Sequence, residues 1–357
     1  MIELSDIDKR IVELLDYLES IQNDDGSFDT MYLQPHYNPN KDWMHYAGNS
    51  PYETAYPLTV LTLLQSAKSQ KITKKGIQYI LDNSLDNFLW TYAYPSKNAL
   101  VPYDTDSTSL CSYVLEKNGY SVINKDFLNE FIDSKSYYLF YIWETAFSVK
   151  IPFLTFLKMK WRNWQTRNSL NIINKGLLLS DSEFTSTCIN LLYLGQSKEN
   201  DIVWHKIQAV FKSKTIDFLY YIDLFHALYS YARLIGYAHH KELMPDLKLL
   251  DEYLKLMAEQ LDKKSISPQS ILLMNTILLF DIDLTNHRPL IQFCFEEIVQ
   301  GKYKQNTAFY SSNAVTDFQP GTTLPNTYFG STAITCSLYI EFLNLYRKKL
   351  FGAYYSN

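Results

Sequence analysis

Two carboxylates lie one residue apart in the segment VPYDTDSTSLCSYVLEKNG, which covers residues 101–119. Asp104 and Asp106 precede an apolar-periodic stretch that predicts a helix over 106–118. Asp106 stands at the N-cap position, where its carboxylate would accept from the free N–H groups of the first turn, and Gly119 stands at the C′ position. The pair could therefore serve only to cap a helix, or Asp106 could be a general acid directed into a cavity. Both interpretations remain open at this point.

Other titratable residues give weaker signals. Glu144 in YIWETAF could be a second acid in a pocket, but it is interpreted as paired or solvent-facing. His226 is interpreted as a core or surface histidine, and His239-His240 lacks the HxxxH spacing of a metal site. The segment Asp281–Asp283 repeats the acid spacing, but it follows a helix C-terminus, where carboxylates are disfavoured, and is interpreted as a loop.

The four cysteines are far apart and lie inside apolar runs, at positions Cys111, Cys188, Cys294 and Cys336. No pair has a CxxC or Cys/His spacing of the zinc type. They are predicted to be reduced, buried small hydrophobes in a cytoplasmic protein, with no metal and no cofactor.

Composition excludes some partners. The chain of 357 residues has a net charge of −5 with scattered Lys and Arg, which argues against nucleic acid. No apolar run reaches the roughly 20 residues of a membrane span, and the start MIELSDIDKRIVELL is an amphipathic helix rather than a signal peptide. Hydrophobic residues make up 46%, enough for a large core, and the 29 tyrosines suit a deep pocket or reflect genome composition.

Helical periodicity runs through most of the chain. A helix is predicted over residues 6–22, ending in a turn at Asp24-Asp25, and a polar loop over 23–49 follows. Ser50-Pro51-Tyr52-Glu53 then predicts a capped helix start, and Lys74–Asn83 a short helix. Further helical hairpins pair 124–132 with 144–159, 167–176 with 182–195, 202–213 with 217–236, 246–261 with 268–281, and 288–300 with 331–348.

Three of these helices begin alike, with Ser or Thr followed by small residues, Cys and Leu: DSTSLCSYVL at 106–115, FTSTCINLLY at 184–193 and GSTAITCSLYI at 330–340. A repeated helical hairpin of this kind predicts an all-α fold, either an α-solenoid or a closed α/α toroid, over residues 1–357 as one domain. The region 299–330 departs from the pattern as a long irregular loop that could hold a short hairpin of strands.

Several segments resemble the repeats of a known superfamily. QNDDGSF at 22–28 is similar to the QxxDGSW-type repeat of squalene and terpene cyclases, and GIQYIL followed by a loop resembles their next hairpin. The DTDSTS core at 104–109 is similar to the DxDDTA or DxDTT motif of class II terpene cyclases. TYFGSTAITCSLYIEFL at 327–343 resembles the last repeat of the wider prenyltransferase and squalene-oxidase group.

The resemblance implies a single (α/α)6 toroid and a protonation-initiated cyclisation of an isoprenoid, with no metal. The middle Asp of the motif, here Asp106, would be the acid, and Asp104 would tune it, because burial and a like-charged neighbour raise the pKa of a carboxylic acid. Aromatic faces would stabilise the carbocation, and the candidates by position are Trp90, Tyr92, Tyr94, Tyr103, Trp143 and Tyr310.

The chain also departs from these relatives. Ser107 stands where class II cyclases often have a third acid, and a single-barrel cyclase would need either a homodimer or a cavity inside the barrel. The zinc-ligand His of protein prenyltransferases is absent near 327–333, and no Cys lies in a thioester Cys-Gly-Glu-Gln run. The expected partner is a hydrophobic small molecule. A non-catalytic toroid that binds a lipid, peptide or protein, and a carbohydrate-active α/α barrel, remain as alternatives.

Overall fold

The structure is a computed structural model of the 357-residue chain. It describes residues 4–33, 44–64, 66–84, 89–90, 105–122, 125, 128, 153–154, 157, 161, 184–195, 197, 201–216, 224–238, 244–261, 266–283, 286–301, 311–313 and 327–352. The predicted hairpin of 124–132 with 144–159 and the predicted helix 167–176 lie almost wholly outside these residues.

The described part of the chain is mostly helical, in agreement with the all-α prediction. Its helices are α1 (Leu4–Ile21), α2 (Pro51–Leu61), α3 (Ala67–Asp82), α4 (Thr105–Lys117), α5 (Phe184–Leu194), α6 (Asp201–Ser213), α7 (Leu224–Ala238), α8 (Leu247–Glu259), α9 (Pro268–Leu279), α10 (Arg288–Val299) and α11 (Thr332–Phe351). These bounds lie close to the predicted ones, with the largest difference at the start of α3; residues 217–223, where the helix that contains α7 was predicted to start, lie outside the described residues.

Two kinds of helix differ in burial. We call α2, α4, α5, α7, α9 and α11 the central helices, because most of their residues are buried on every side. The remaining helices are amphipathic; α1, for example, buries only the stripe Ile7, Ile11, Leu14, Leu15 and Leu18. Helices that are apolar all round must be enclosed by others, so the amphipathic helices form an outer layer over the central ones.

The central helices contact one another in a fixed order. Helix α2 packs against α4, α4 against α5, α5 against α7, α7 against α9, α9 against α11, and α11 against α2. The amphipathic helices fill the outside of these pairs, so that α3 contacts both α2 and α4, α8 and α10 contact α9, and α1 contacts α11. The succession of central contacts therefore returns to the helix at which it began.

The end of α4 follows the predicted glycine stop. Gly119 has φ of +82°, its N–H donates to the carbonyl of Glu116 at 3.0 Å, and the N–H of Tyr120 donates to Leu115 at 3.0 Å. These two bonds make a Schellman motif, which needs a left-handed residue at C′. At the start of α2, Ser50 is the N-cap and Pro51 is the first helical residue, as predicted, but the Ser50 side chain makes no capping hydrogen bond.

Four strands join the two ends of the chain in one antiparallel sheet. They are β1 (Asp29–Leu33), β2 (Met44–Asn49), β3 (Ser311–Asn313) and β4 (Thr327–Gly330), in the order β2-β1-β4-β3. The β3–β4 pair confirms the hairpin predicted within 299–330. The prediction of a loop over 23–49 was wrong for β1 and β2, because β1 is stabilised by backbone pairing to β4, far away in the sequence.

The turn after α1 uses the chemistry that its sequence predicts. Asp25 Oδ1 accepts from the N–H of Ser27 at 2.9 Å and from its hydroxyl at 2.6 Å. Gly26 has φ of +91°, and a Cβ on it would lie 2.1 Å from the carbonyl oxygen of Lys75 on α3. The glycine is therefore required twice, once by its backbone conformation and once by the close approach of α3.

The core holds the cysteines as predicted: Cys111, Cys188, Cys294 and Cys336 are buried free thiols. Over the part of the chain that the structure describes, we find no helix with both the length and the apolar character needed to cross a bilayer.

We expect Gly26→Ala to be one of the costlier single substitutions in the described chain. It should lower the free energy of unfolding by about 3 kcal/mol or more, because positive φ and a backbone clash act together. Gly119→Ala is the matched control, since Gly119 has a similar φ but no atom within 4 Å, and it should cost about 1–2 kcal/mol. Urea denaturation measures both; equal losses would contradict the close-approach argument.

Candidate functional site

Asp106 lies in the first turn of α4 rather than at its N-cap. The helix spans Thr105–Lys117, so Asp106 is already inside it and the prediction that Asp106 is its N-cap was wrong. The carboxylate is not used on its own helix but accepts hydrogen bonds from α5. The physical reason is tertiary: two polar side chains of α5 face this carboxylate, and sequence spacing within α4 contains no information about them.

Both oxygens of the Asp106 carboxyl group are hydrogen-bonded. The hydroxyl of Ser186 donates to Oδ2 at 2.6 Å, and the Nδ2 amide of Asn190 donates to Oδ1 at 3.2 Å. Ser186 and Asn190 are four residues apart on α5, so they lie on one face of that helix. The carboxyl group is thereby held in one orientation between α4 and α5.

The orientation of the Asn190 amide is determined by its other partners. Its Oδ1 accepts from the hydroxyl of Ser109 at 2.8 Å, and its Nδ2 also donates to Thr105 Oγ1 at 3.1 Å. An ionised carboxylate can only accept, so the end of the amide that faces Asp106 is the NH₂ group and the end that faces Ser109 is the oxygen. Ser109 and Asn190 are wholly buried, which makes this arrangement costly to disturb.

Asp106 and Ser186 are the partly exposed residues of their helices. Every other residue of α4 up to Leu115, and every other residue of α5, is buried. Both belong to the first turn of a central helix, so the accessible space lies at the N-terminal ends of α4 and α5. Asp106 is therefore a partly exposed residue that packed helices surround on most sides.

Burial raises the pKa of Asp106 from 3.8 to about 6, and the hydrogen bonds from Ser186 and Asn190 act in the opposite direction. A substantial fraction of the side chain is therefore protonated in mildly acidic solution. Oδ1 faces an amide NH₂ group, which can only donate, whereas Oδ2 faces a hydroxyl, which can donate or accept. The proton of the neutral acid is therefore placed on Oδ2.

Trp90 is the other predicted site residue that the structure describes. Its side chain is wholly buried, and its indole Nε1–H donates to the carbonyl of Ile80 on α3 at 2.7 Å. Its backbone N–H donates to Thr108 Oγ1 at 3.2 Å. These contacts make Trp90 part of the packing between α3 and α4, and a role with a substrate stays a prediction.

The remaining predicted site residues lie outside the described residues. They are Asp104, Tyr92, Tyr94, Tyr103, Trp143 and Tyr310, and Glu144 and His239-His240 join them. Two weaker candidates are described. His226 is buried on α7, which agrees with a core histidine, and Asp281 forms an ion pair with Lys349 just after α9, which agrees with a loop carboxylate.

Sequence reasoning missed a second polar site, which we call the buried charge cluster: Tyr56, Tyr229, Arg233, Tyr237, Asn275 and Glu341. Glu341 on α11 is its centre and is about 1% exposed. It accepts from the hydroxyls of Tyr229 and Tyr237 on α7 and from Asn275 Nδ2 on α9, the last at 2.9 Å. Burial raises the pKa of Glu341, while Arg233 and the two tyrosine hydroxyls lower it.

Arg233 on α7 supplies the positive charge of the buried charge cluster. Its guanidinium lies over three aromatic rings, with Cζ 5.0 Å from the ring centre of Tyr56, 5.5 Å from Tyr229 and 5.6 Å from Tyr237. It also donates to the hydroxyl of Thr59 on α2. The sequence signal was the spacing of Tyr229, Arg233 and Tyr237 at every fourth residue, a polar stripe on an otherwise apolar helix.

A cavity of about 500 Å³ opens at the C-terminal ends of three central helices. Its lining includes Tyr237 of α7, Leu279 of α9 and Leu345 of α11, with Lys348 and Lys349 at the same end. Tyr237 thus contacts the cavity and also the buried charge cluster. As for metals, the described residues contain no group of three or more His, Cys, Asp or Glu that could hold an ion.

Sequence comparison finds no relatives: no model of a protein family matches the chain, and no curated protein matches it. Comparison of the fold, in contrast, finds similar solved structures. The chain is similar to the type II terpene cyclase MstE from Scytonema, solved as two variants in complex with its substrate geranylgeranyl dihydroxybenzoate. The TM-scores are 0.62 and 0.61 at 11% and 10% identity, over 98% of this chain and 99% of each MstE chain. The chain therefore has the fold of a type II terpene cyclase.

We expect Asp106→Asn to stabilise the protein at pH 8 but not at pH 4. The folded protein binds more protons than the unfolded chain between 3.8 and about 6, so this carboxyl lowers stability as pH rises through that range. At pH 8 the free energy of unfolding of the variant should therefore exceed that of the wild type by about 3 kcal/mol, which is the shift in pKa converted at 1.36 kcal/mol per unit. Urea denaturation at both pH values measures it. Asp201→Asn, in the first turn of α6, is the control and should show no such pH-dependent gain.

Proposed function

We propose that this protein is an enzyme of the type II terpene cyclase kind, which protonates an isoprenoid substrate and so starts its cyclisation. The observation that carries the proposal is Asp106, a partly exposed residue in the first turn of a central helix, whose carboxyl pKa is raised by burial to about 6. Its sequence context, DTDSTS, resembles the acid motif of class II cyclases, and the whole chain has their fold.

We further propose that the central helices form the inner ring of an (α/α)6 toroid. The order of their contacts, which returns from α11 to α2, supports this arrangement. Where the structure describes the connection, the chain returns through an amphipathic helix between successive central helices, as α3 does between α2 and α4, so these central helices should run parallel. The hydrogen bonds Asp106–Ser186 and Ser109–Asn190 support the parallel direction of α4 and α5. The N-terminal turns of the ring, with Asp106 among them, would then share one end.

The chemistry proposed for Asp106 is a single proton transfer. The O–H bond at Oδ2 breaks, a C–H bond forms at one carbon of a terminal alkene, and the neighbouring carbon becomes a carbocation. The next double bond of the same molecule attacks that cation and closes a ring. The cyclised cation then loses a proton to water, and the Asp106 carboxylate takes one proton back from the solvent, which regenerates the acid. No atom is gained or lost overall, so the reaction needs no oxidant, reductant or co-reactant.

Ser186 and Asn190 have a defined part in this transfer. Burial keeps the acid protonated before reaction, because it disfavours the charged form. After the proton leaves, the carboxylate that remains is stabilised by the hydroxyl of Ser186 and the amide of Asn190, which donate to its two oxygens. The site therefore combines a raised pKa with donors that are already directed at the charge to be formed.

Two further assignments are part of the proposal. Asp104 would raise the pKa of Asp106 further by its like charge. The aromatic residues Trp90, Tyr92, Tyr94, Tyr103, Trp143 and Tyr310 are candidates to stabilise the carbocation, since aromatic faces attract cations.

A toroid that binds a lipid without chemistry is the second candidate function. The observation that favours it is the buried charge cluster, whose side chains fill space among four of the central helices. Both candidates predict binding of an apolar chain, but only the enzyme requires the proton of Asp106.

We expect Asp106→Asn to abolish cyclisation. Purified protein is incubated with linear prenyl substrates, including geranylgeranyl diphosphate and geranylgeranyl-substituted phenols, and products are separated by chromatography with mass detection. The variant should lose at least about 100-fold in rate, the usual contribution of a general acid. Asp201→Asn should leave the rate unchanged. If Asp106→Asn forms cyclic products at the same rate as Asp201→Asn, Asp106 is not the acid. If the wild type binds the substrates but forms no products, the non-catalytic toroid is favoured.

We also expect Asn190→Ala to move the pH profile of the reaction. The active form has a protonated Asp106, so the rate should fall as pH rises above about 6. Asn190 lowers the pKa of Asp106, so its loss should shift this fall to higher pH. Asn118→Ala is the control, because Asn118 lies just beyond the other end of α4 and donates to Val114. Profiles that coincide for all three proteins would contradict the role given to Asn190.

A further inference from the structure

The buried charge cluster occupies the same level on three central helices. On each of them, the cluster residue precedes a residue that lines the 500 Å³ cavity by four positions, which is about one helical turn. The three pairs are Arg233 with Tyr237, Asn275 with Leu279, and Glu341 with Leu345. The cavity therefore lies on the C-terminal side of the cluster on α7, α9 and α11.

Asp106 lies on the opposite side of the cluster. Cys111 follows Asp106 by five residues on α4, and its Sγ lies 3.7 Å from the carbonyl oxygen of Pro51 at the start of α2. Arg233 lies over the ring of Tyr56, which is five residues further along α2 and so still further from Asp106. With the central helices parallel, the order along the ring axis is Asp106, the buried charge cluster, and then the cavity.

The cluster resembles an occupied binding site for a cation. Aromatic faces around a positive charge are the arrangement by which proteins bind organic cations. Here the rings of Tyr56, Tyr229 and Tyr237 surround the protein's own guanidinium, and Glu341 supplies the opposite charge. The position that could stabilise a carbocation at this depth is therefore filled by Arg233.

We propose that Arg233, which shares Tyr229 and Tyr237 with Glu341, is a wall that closes the space proposed for the substrate beside Asp106 and so limits the length of isoprenoid chain the protein accepts. The inference rests on the proposed function, because it concerns the substrate of the same site. An apolar chain cannot replace a buried guanidinium without leaving Glu341 uncompensated. A carbocation formed at Asp106 is also repelled by the charge of Arg233, so cyclisation stays on the Asp106 side of the wall.

The double variant Arg233→Ala/Glu341→Gln removes the wall and both charges together. The control is Arg347→Ala/Asp8→Asn, which removes a charge pair of 2.8 Å between α11 and α1. Binding of geraniol, farnesol and geranylgeraniol to wild type and both variants is measured by isothermal titration calorimetry. In the double variant, the affinity for geranylgeraniol relative to geraniol should rise about tenfold or more over wild type, because the longer chain enters the joined cavity.

The outcomes separate this inference from the proposed function. If the affinity for prenyl alcohols depends on chain length in the same way in all three proteins, Arg233 does not limit the chain length, and the cyclase proposal is unaffected. Binding of none of them to any of the three proteins overturns the proposed function, and the wall with it. A tenfold rise that appears equally in the Arg347→Ala/Asp8→Asn control also overturns the wall.

A second measurement tests the inference if the double variant does not fold. Arg233→Ala alone leaves the tyrosine cage and Glu341, and methylguanidinium at millimolar concentration should then bind in the vacated cage. We expect it to raise the Tm of Arg233→Ala by several degrees more than that of wild type or of Arg347→Ala, or to restore refolding of Arg233→Ala selectively. An equal effect on the three proteins would show that Arg233 does not fill a discrete cage and would overturn the inference.

Discussion

The structure depends on how one buried pair of opposite charges is accommodated. A carboxylate and a guanidinium removed from water are costly unless every donor and acceptor finds a partner. Glu341 is compensated by hydroxyl and amide donors from α7 and α9. Arg233 is compensated by aromatic faces and by a hydroxyl of α2, but its buried Nε has no hydrogen-bond partner among the described residues. Because these groups come from four central helices, the requirement sets the height of those helices relative to one another.

The same central layer treats its two carboxyl groups in opposite ways. Glu341 has three hydrogen-bond donors and Arg233 nearby, whereas Asp106 has only two neutral donors, which do not offset the rise in its pKa caused by burial. Glu341 is sealed in, whereas Asp106 and its partner Ser186 stay partly accessible. This difference in environment is the reason why the proposed chemistry is assigned to Asp106 and not to Glu341.

A fold shared with MstE at 11% identity shows how little of a helical sequence must persist. The central helices require only apolar residues of suitable size, and many combinations meet that requirement. Positions governed by backbone geometry are less tolerant. Gly26, with positive φ and α3 directly against it, is one of these, and it lies in the QNDDGSF segment that the sequence shares in type with the cyclase repeats.

Periodicity and turn residues determined the helices: α2 from Ser50-Pro51, the end of α4 from Gly119, and the α7 to α11 series from apolar spacing, because these signals act within a few residues. Tertiary structure alone decided the partners of Asp106 on α5 and the pairing of β1 with β4. It also decided that Arg233 and Glu341, more than a hundred residues apart, share one site. Local sequence cannot encode such contacts, since each depends on which helices pack side by side.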